Sequence, residues 1–133
     1  MTNDVVLLVE DSDEDVEAVR RALRVTHPAV QLEHVGSGGE LVPWLIASQR
    51  PALVLLDLNM PGLDGQAALQ AARERVEFAE IPIVVFTSST RSGDVDRAFE
   101  AGASGYLVKP LSFQLLQQSL ARTVTYWLTK AEA

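Results

Sequence analysis

The first apolar run of the chain, Val5 to Val9, ends in two acidic residues, Glu10 and Asp11, and a later run, Ala52 to Leu56, ends in a third, Asp57. If the fold brings those run ends together, three carboxylates share one pocket, and like charges so close repel strongly unless a cation holds them. Hard oxygen donors on fixed backbone are what Mg²⁺ requires. A further run ends in a hydroxyl, Phe86-Thr87-Ser88, and another in Lys109-Pro110. Lys109 and Lys130 are the only two lysines, every other cationic position being arginine, so Lys109 is not there to supply general surface charge. A flexible stem with a compact ammonium suits an interior salt link to a carboxylate or a phosphoryl oxygen. The proline that follows raises the chance of a cis peptide, which would aim the amine into the pocket.

Taken singly, each feature has an ordinary structural use. Acidic residues in a first helical turn complement the macrodipole, so capping explains Asp13 and Asp15 as well as any chemistry does. An aspartate before Pro61-Gly62 and Asp64-Gly65 can simply open a turn, and a hydroxyl such as Thr87 commonly satisfies nearby backbone. Only their shared position at run ends turns them into a candidate site. The two histidines are read as structural. His27 precedes Pro28 in a turn and His34 lies near the end of a run, neither with a carboxylate or hydroxyl partner at recognisable spacing.

Five apolar runs of strand length recur: Val5 to Val9, Val30 to His34, Ala52 to Leu56, Ile83 to Phe86 and Tyr106 to Val108. Helical spacing fills the gaps, as in Val16, Val19 and Leu23. A βαβαβαβαβα order with continuous apolar strands predicts an α/β fold, a doubly wound five-stranded parallel sheet covered by helices on both faces. The first, third and fourth runs should be fully buried. In such sheets the site lies beyond the carboxyl ends of the strands, where strand order reverses. Ser37 and Glu40 have the spacing of a capping box for the second helix, Pro43 predicts a bend or late start there, and Gly102 can close the fourth. A final helix is expected over about 111–128, with Phe113, Leu116, Leu120, Val124 and Trp127 on its inner stripe. Trp127 reads as core, while Tyr126 and Leu128 mark a dimer or partner surface.

The 133 residues suit one domain, 1–133, with a real core. A net charge of −7 repels the phosphate backbone and speaks against nucleic-acid binding. With no cysteine there can be no disulfide or thiolate metal site. The start lacks the pattern of a signal peptide and no run approaches a membrane span, so a cytoplasmic location away from membranes is expected.

Val9-Glu10-Asp11, Leu55-Leu56-Asp57-Leu58-Asn59-Met60-Pro61-Gly62-Leu63-Asp64-Gly65, Phe86-Thr87-Ser88, Gly102-Ala103-Ser104-Gly105-Tyr106 and Lys109-Pro110 together resemble the receiver domain of two-component response regulators, in order and over almost the whole chain. That resemblance implies a flavodoxin-like (βα)5 fold and a phosphorelay role. Asp57 would accept a phosphoryl group from a histidine kinase. Asp11, Asp57 and the backbone carbonyl of Asn59 would ligate Mg²⁺, with Glu10 holding a metal-bound water. Thr87 and Lys109 would meet the phosphoryl oxygens, and Thr87 with Tyr106 would form the switch that alters the surface of the fourth helix, fifth strand and fifth helix. Such a protein is a self-catalysing phosphoacceptor, not a conventional enzyme. The acidic run after Asp11 and the Tyr126-Trp127-Leu128 ending are most similar to free-standing regulators paired with phytochrome-type sensor histidine kinases. With 23 residues after Pro110, no fused output domain is expected, and the output would be a protein contact, to a downstream target or a homodimer through the last helix.

Other readings fit less well. Phosphatases of the haloacid dehalogenase type need a second aspartate two positions beyond the first, where this chain has Asn59. The Gly36-Ser37-Gly38-Gly39 segment would need a glycine at Leu41 to read as a dinucleotide loop, and it follows the second run instead of the first. The nearest alternative is a receiver-like interaction module that is not phosphorylated.

Overall fold

The computed structural model describes residues 4–59 and 65–132, so the Met60-Pro61-Gly62-Leu63-Asp64 part of the motif lies outside the described residues. Five strands, β1 (Val5–Val9), β2 (Gln31–Val35), β3 (Leu53–Leu56), β4 (Ile83–Thr87) and β5 (Gly105–Val108), alternate with helices α1 (Asp13–Thr26), α2 (Leu41–Ala47), α3 (Gly65–Arg73), α4 (Ser92–Glu100) and α5 (Phe113–Glu132). All strand pairs are parallel, in the order β2-β1-β3-β4-β5. The order reverses between β1 and β3, the strands that end in Glu10 and Asp57.

The two-residue period of a strand sorts the core into two layers. Leu7, Val9, Val54, Leu56, Ile83 and Val85 face α2, α3 and α4, packing on Leu41, Leu45, Ala68, Leu69, Ala72 and Ala98. Val6, Leu8, Leu53, Leu55, Val84 and Phe86 face the other way, onto Val16, Val19 and Leu23 of α1 and Leu116, Leu120 and Val124 of α5. As predicted for a doubly covered parallel sheet, β3 and β4 are buried throughout, and β1 everywhere but its first residue.

Several local expectations need correction. The second strand runs Gln31–Val35, one residue later than its apolar run, because the Val30 N–H is taken up by His27 O in the turn at 3.0 Å and pairing with β1 begins at Gln31. No capping box opens α2: Ser37 Oγ donates to Glu40 Oε2 at 3.0 Å, and Gly36 N–H does so at 3.1 Å, while a 3-10 turn over Gly38–Glu40 precedes the helix. Pro43 then falls in the first turn of α2, where its missing N–H costs nothing. The last helix spans Phe113–Glu132 instead of 111–128, since Ser112 caps it by accepting from Leu115 N–H at 3.3 Å and good helix formers continue it past Leu128. Trp127 and Leu128 are part-buried against the α1/α5 layer, Tyr126 is half exposed, and Phe113 lies at the rim under the Arg21 guanidinium. The Lys109-Pro110 peptide is trans, like every other described peptide bond. His27 does have hydroxyl partners, Thr26 Oγ1 at 3.0 Å and Thr125 Oγ1 at 2.9 Å, which join α1 to α5 across a distance in sequence that no spacing rule reveals.

Two glycines fix how α3 and α4 meet the sheet. Gly102 closes α4 with φ +106°, a left-handed conformation that glycine adopts without strain. Arg73, at the end of α3, packs on it: its Nε donates to Gly102 O at 2.8 Å, Nη1 to Phe78 O at 2.9 Å and Nη2 to Ser104 Oγ at 3.2 Å. At the other end of α3, a Cβ on Gly65 would lie 2.3 Å from the carbonyl oxygen of Asp57 and 2.6 Å from Leu58 Cα. Only a residue without a side chain lets α3 start against the turn that follows β3. Gly65→Ala should therefore lower stability by about 1–3 kcal/mol, as overpacking does, read as a lower urea midpoint at unchanged m-value.

Candidate functional site

The backbone ladder continues past the strands and holds the candidate side chains in register. Asp57 N–H donates to Val9 O at 3.0 Å, Glu10 N–H to Val35 O at 3.1 Å and Lys109 N–H to Thr87 O at 2.7 Å. By strand parity Glu10, Asp57 and Lys109 continue the row of Leu8, Leu55 and Leu107, on the α1/α5 side, while Thr87 and Tyr106 continue the row on the α3/α4 side. One carboxyl edge thus presents chemistry to both layers.

Glu10, Asp11 and Asp57 come together as the sequence predicts, each offering a carboxylate oxygen within 4.8 Å of the others. Glu10 is 1% and Asp57 4% exposed, whereas Asp11 faces solvent. Lys109 projects into the cluster, with Nζ 2.6 Å from Glu10 Oε1, 2.7 Å from Asp15 Oδ2 and 3.5 Å from Asp57 Oδ2, and 5.4 Å from the centre of the Phe86 ring. Glu10 Oε2 also accepts from Ser12 N–H at 3.2 Å. Burial pushes the Glu10 carboxyl up to about 7, against the pull of Lys109 and with the help of the Asp57 charge. Burial also opposes the charge on Lys109, but hydrogen bonds to Asp15 and Glu10 outweigh it and hold the ammonium above its ordinary range. Three hard oxygens around a mouth open at Asp11 are a donor set that fits a divalent cation.

On the other side of Asp57, its Oδ1 accepts from Asn59 N–H at 3.3 Å, and the Asn59 side chain reaches on to donate from Nδ2 to Thr87 Oγ1 at 3.2 Å. Tyr106 is half-buried, its hydroxyl donating to Ser89 O at 3.0 Å in the turn between β4 and α4. Ser89 in turn is tied to Asp94, the buried acid of the first turn of α4, which also pairs with Arg91 and Arg97. Sequence reasoning missed two of these contacts. Asp15 was open to a capping explanation, yet Ser12 is the cap, its Oγ accepting from Asp15 N–H at 3.3 Å, and the Asp15 carboxylate crosses to Lys109. Asp15 lies in the first turn of α1, four residues past Asp11, the only signal that could have placed it above the pocket. The Asn59–Thr87 bond joins two segments whose meeting depends on the β3–β4 pairing.

A doubly wound sheet with an acidic cluster, a lysine and a hydroxyl at its carboxyl edge, at the point of strand reversal, is the flavodoxin-like architecture of phosphorelay receivers. Residues 6–121 match the family model of the response regulator receiver domain, and the chain belongs to that family, the signalling switches of two-component systems. It is 32% identical over 130 residues to the response regulator Rcp1 of a Synechocystis strain, covering 93% of this chain and 88% of that one. The Mn²⁺-bound form of Rcp1 superposes with a TM-score of 0.80 at 31% identity, covering 94% of each chain. The phosphorylated cyanobacterial phytochrome response regulator RcpA superposes at 0.89 with 26% identity and 96% of both chains covered. The receiver domain of the sensor histidine kinase PA1611 from Pseudomonas aeruginosa, with magnesium in its active-site cleft, gives 0.80 at 27% identity over 96% of this chain and 98% of that one. Among the described residues no helix is long and apolar enough to cross a membrane.

Removing the lysine alone would leave Glu10 and Asp57 buried without a countercharge. Lys109→Met should destabilise the metal-free protein by about 3–5 kcal/mol, as breaking a buried pair does, and added Mg²⁺ should recover part of the loss in parallel urea melts.

Proposed function

We propose that residues 1–133 act as one phosphorylation-dependent receiver, with Asp57 as the phosphoacceptor. The observation that carries this reading is the Asp57 carboxylate itself: 4% exposed, with Oδ1 held by the Asn59 N–H and Oδ2 facing the Lys109 ammonium. Phosphoryl transfer asks little covalent chemistry of a protein beyond an aligned nucleophile and positive charge on the equatorial oxygens. Lys109 supplies one such charge. Asp11, Asp57 and the carbonyl of Asn59 would hold Mg²⁺, with Glu10 reaching it through water. When bound, the ion neutralises the clustered carboxylates and adds charge stabilisation at the phosphoryl oxygens. The Mn²⁺ in Rcp1 and the magnesium in the PA1611 receiver support this assignment.

The switch follows from the contacts of Thr87. Its oxygen now accepts from Asn59, and a phosphoryl group on Asp57 would offer its hydroxyl hydrogen a strong acceptor. Movement of Thr87 toward it draws on the turn at Ser89, to which Tyr106 and Asp94 are tied, so the change reaches α4 and β5, and with β5 the cleft that Tyr106 and Leu107 line together with Tyr126 and Trp127 of α5. Contacts of this kind shift a population between two states by their differential energy and no more. The donor would be a sensor histidine kinase, of phytochrome type by the likeness to RcpA. The reader would be a cytoplasmic protein target or a second copy of the chain docking on the last helix, where Tyr126 is exposed.

Incubation with acetyl phosphate and Mg²⁺ should add the mass of one phosphoryl group to the wild type and nothing to Asp57→Asn, read by intact mass; an unlabelled wild type would favour an inert interaction module. Asp11→Asn, which removes the negative charge of one ligand without burying a new charge, should weaken Mg²⁺ binding at least about tenfold, an effect of about 1.4 kcal/mol on the Mg²⁺-dependent rise in stability, measured by calorimetry and by melts with and without the ion.

A further inference from the structure

The proposed chemistry leaves one contact of its own lysine unused. An ammonium has three donors, and the two shortest contacts of Lys109, to Glu10 at 2.6 Å and Asp15 at 2.7 Å, are both much closer than Asp57, which lies at 3.5 Å. Glu10 is buried and needs a countercharge for its own sake. Asp15 does not: its side chain is 41% exposed in the first turn of α1 and could rest in water at little cost. Nor is it needed as a cap, since Ser12 fills that place and the exposed Asp13 and Glu14 already complement the helix macrodipole. Its carboxylate instead crosses from α1 to the end of β5, the partner residue lying 94 positions further along the chain.

We propose that Asp15 is a positioning residue that holds the Lys109 ammonium in a resting place beside α1, in competition with the phosphoryl group being transferred to Asp57. The inference rests on the receiver reading above. During transfer from acetyl phosphate, a bond forms between an Asp57 carboxylate oxygen and phosphorus, the bond from phosphorus to the acetyl oxygen breaks, and acetate leaves with the electron pair; no proton has to move. Lys109 turns from the Asp15 oxygen to a phosphoryl oxygen as this happens, keeping Glu10 as its fixed partner. The exchange replaces one anionic acceptor with another, so it delays the transfer without preventing it. It also releases Asp15, and with it the tie between the first turn of α1 and β5, whenever Asp57 is phosphorylated.

The test compares initial rates of mass gain with acetyl phosphate and saturating Mg²⁺ for wild type, Asp15→Asn, Asp15→Glu and Glu14→Gln. Glu14→Gln removes the same charge from the same exposed turn without touching Lys109. Asp15→Asn should label about fivefold faster than wild type, the size expected from losing one ion-pair contact of about 1 kcal/mol at a wet site. Asp15→Glu should return the rate to that of wild type, and Glu14→Gln should leave it within about twofold. A rate for Asp15→Asn equal to or below wild type overturns the inference, as does an equal gain in Glu14→Gln, which would make the effect one of bulk charge. A wild type that gains no mass overturns the receiver reading and this inference with it, whereas a labelled wild type with an unchanged Asp15→Asn overturns this inference alone.

Discussion

Burying like charges is the constraint around which this molecule is arranged. Glu10 and Asp57 are almost wholly withdrawn from water and lie within reach of a third carboxylate, Asp11, at the mouth of the same pocket. One ammonium, that of Lys109, offsets them. Burial, with a smaller push from the Asp57 charge, lifts the Glu10 carboxyl to about 7 even with the lysine in contact. A cluster left short of positive charge in this way favours whatever brings more of it, and that is the physical basis for reading the edge as a cation-dependent site. The fold serves the cluster, because parallel strands with their carboxyl ends aligned bring together residues that are far apart in the chain.

The sheet also divides the labour. Strand parity sends the charged group toward α1 and α5 and the Thr87–Tyr106 pair toward α3 and α4, with Asp57 reaching both through Lys109 on one oxygen and Asn59 on the other. A chemical event at one carboxylate can then be felt in two helical layers that share few direct contacts. Neither layer needs to sense the other.

Much of this was legible in the residues. Strand positions followed from apolar runs, since a strand buried on both faces leaves no polar positions to blur its ends, and β1 was matched end to end. The edge strand β2 slipped by one because its pattern is weaker. Glu10, Asp57 and Lys109 were found together because each follows a strand directly, so the chain's own ladder fixes them, and Asp11 comes one residue after Glu10. The Asp15–Lys109 and Asn59–Thr87 contacts escaped notice because they depend on how a helix and a turn sit over the edge, which spacing alone does not encode. The long reach of His27 to Thr125 has the same origin, packing between distant segments, while the trans Lys109-Pro110 bond is the ordinary preference of such a peptide.

Arg73 adds a mechanical consequence. Its guanidinium grips the carbonyl of Gly102 at the far end of α4 and, with Ser104 and Phe78, fastens that end to the base of the sheet. The near end of α4 is attached through Ser89, Asp94, the Tyr106 hydroxyl and the Gln66 amide, which donates to Asp94 O. A helix clamped at one tip would pivot there if its other end were displaced. Small displacements at the mooring become a tilt of the whole exposed flank, while the clamp keeps its axis from drifting.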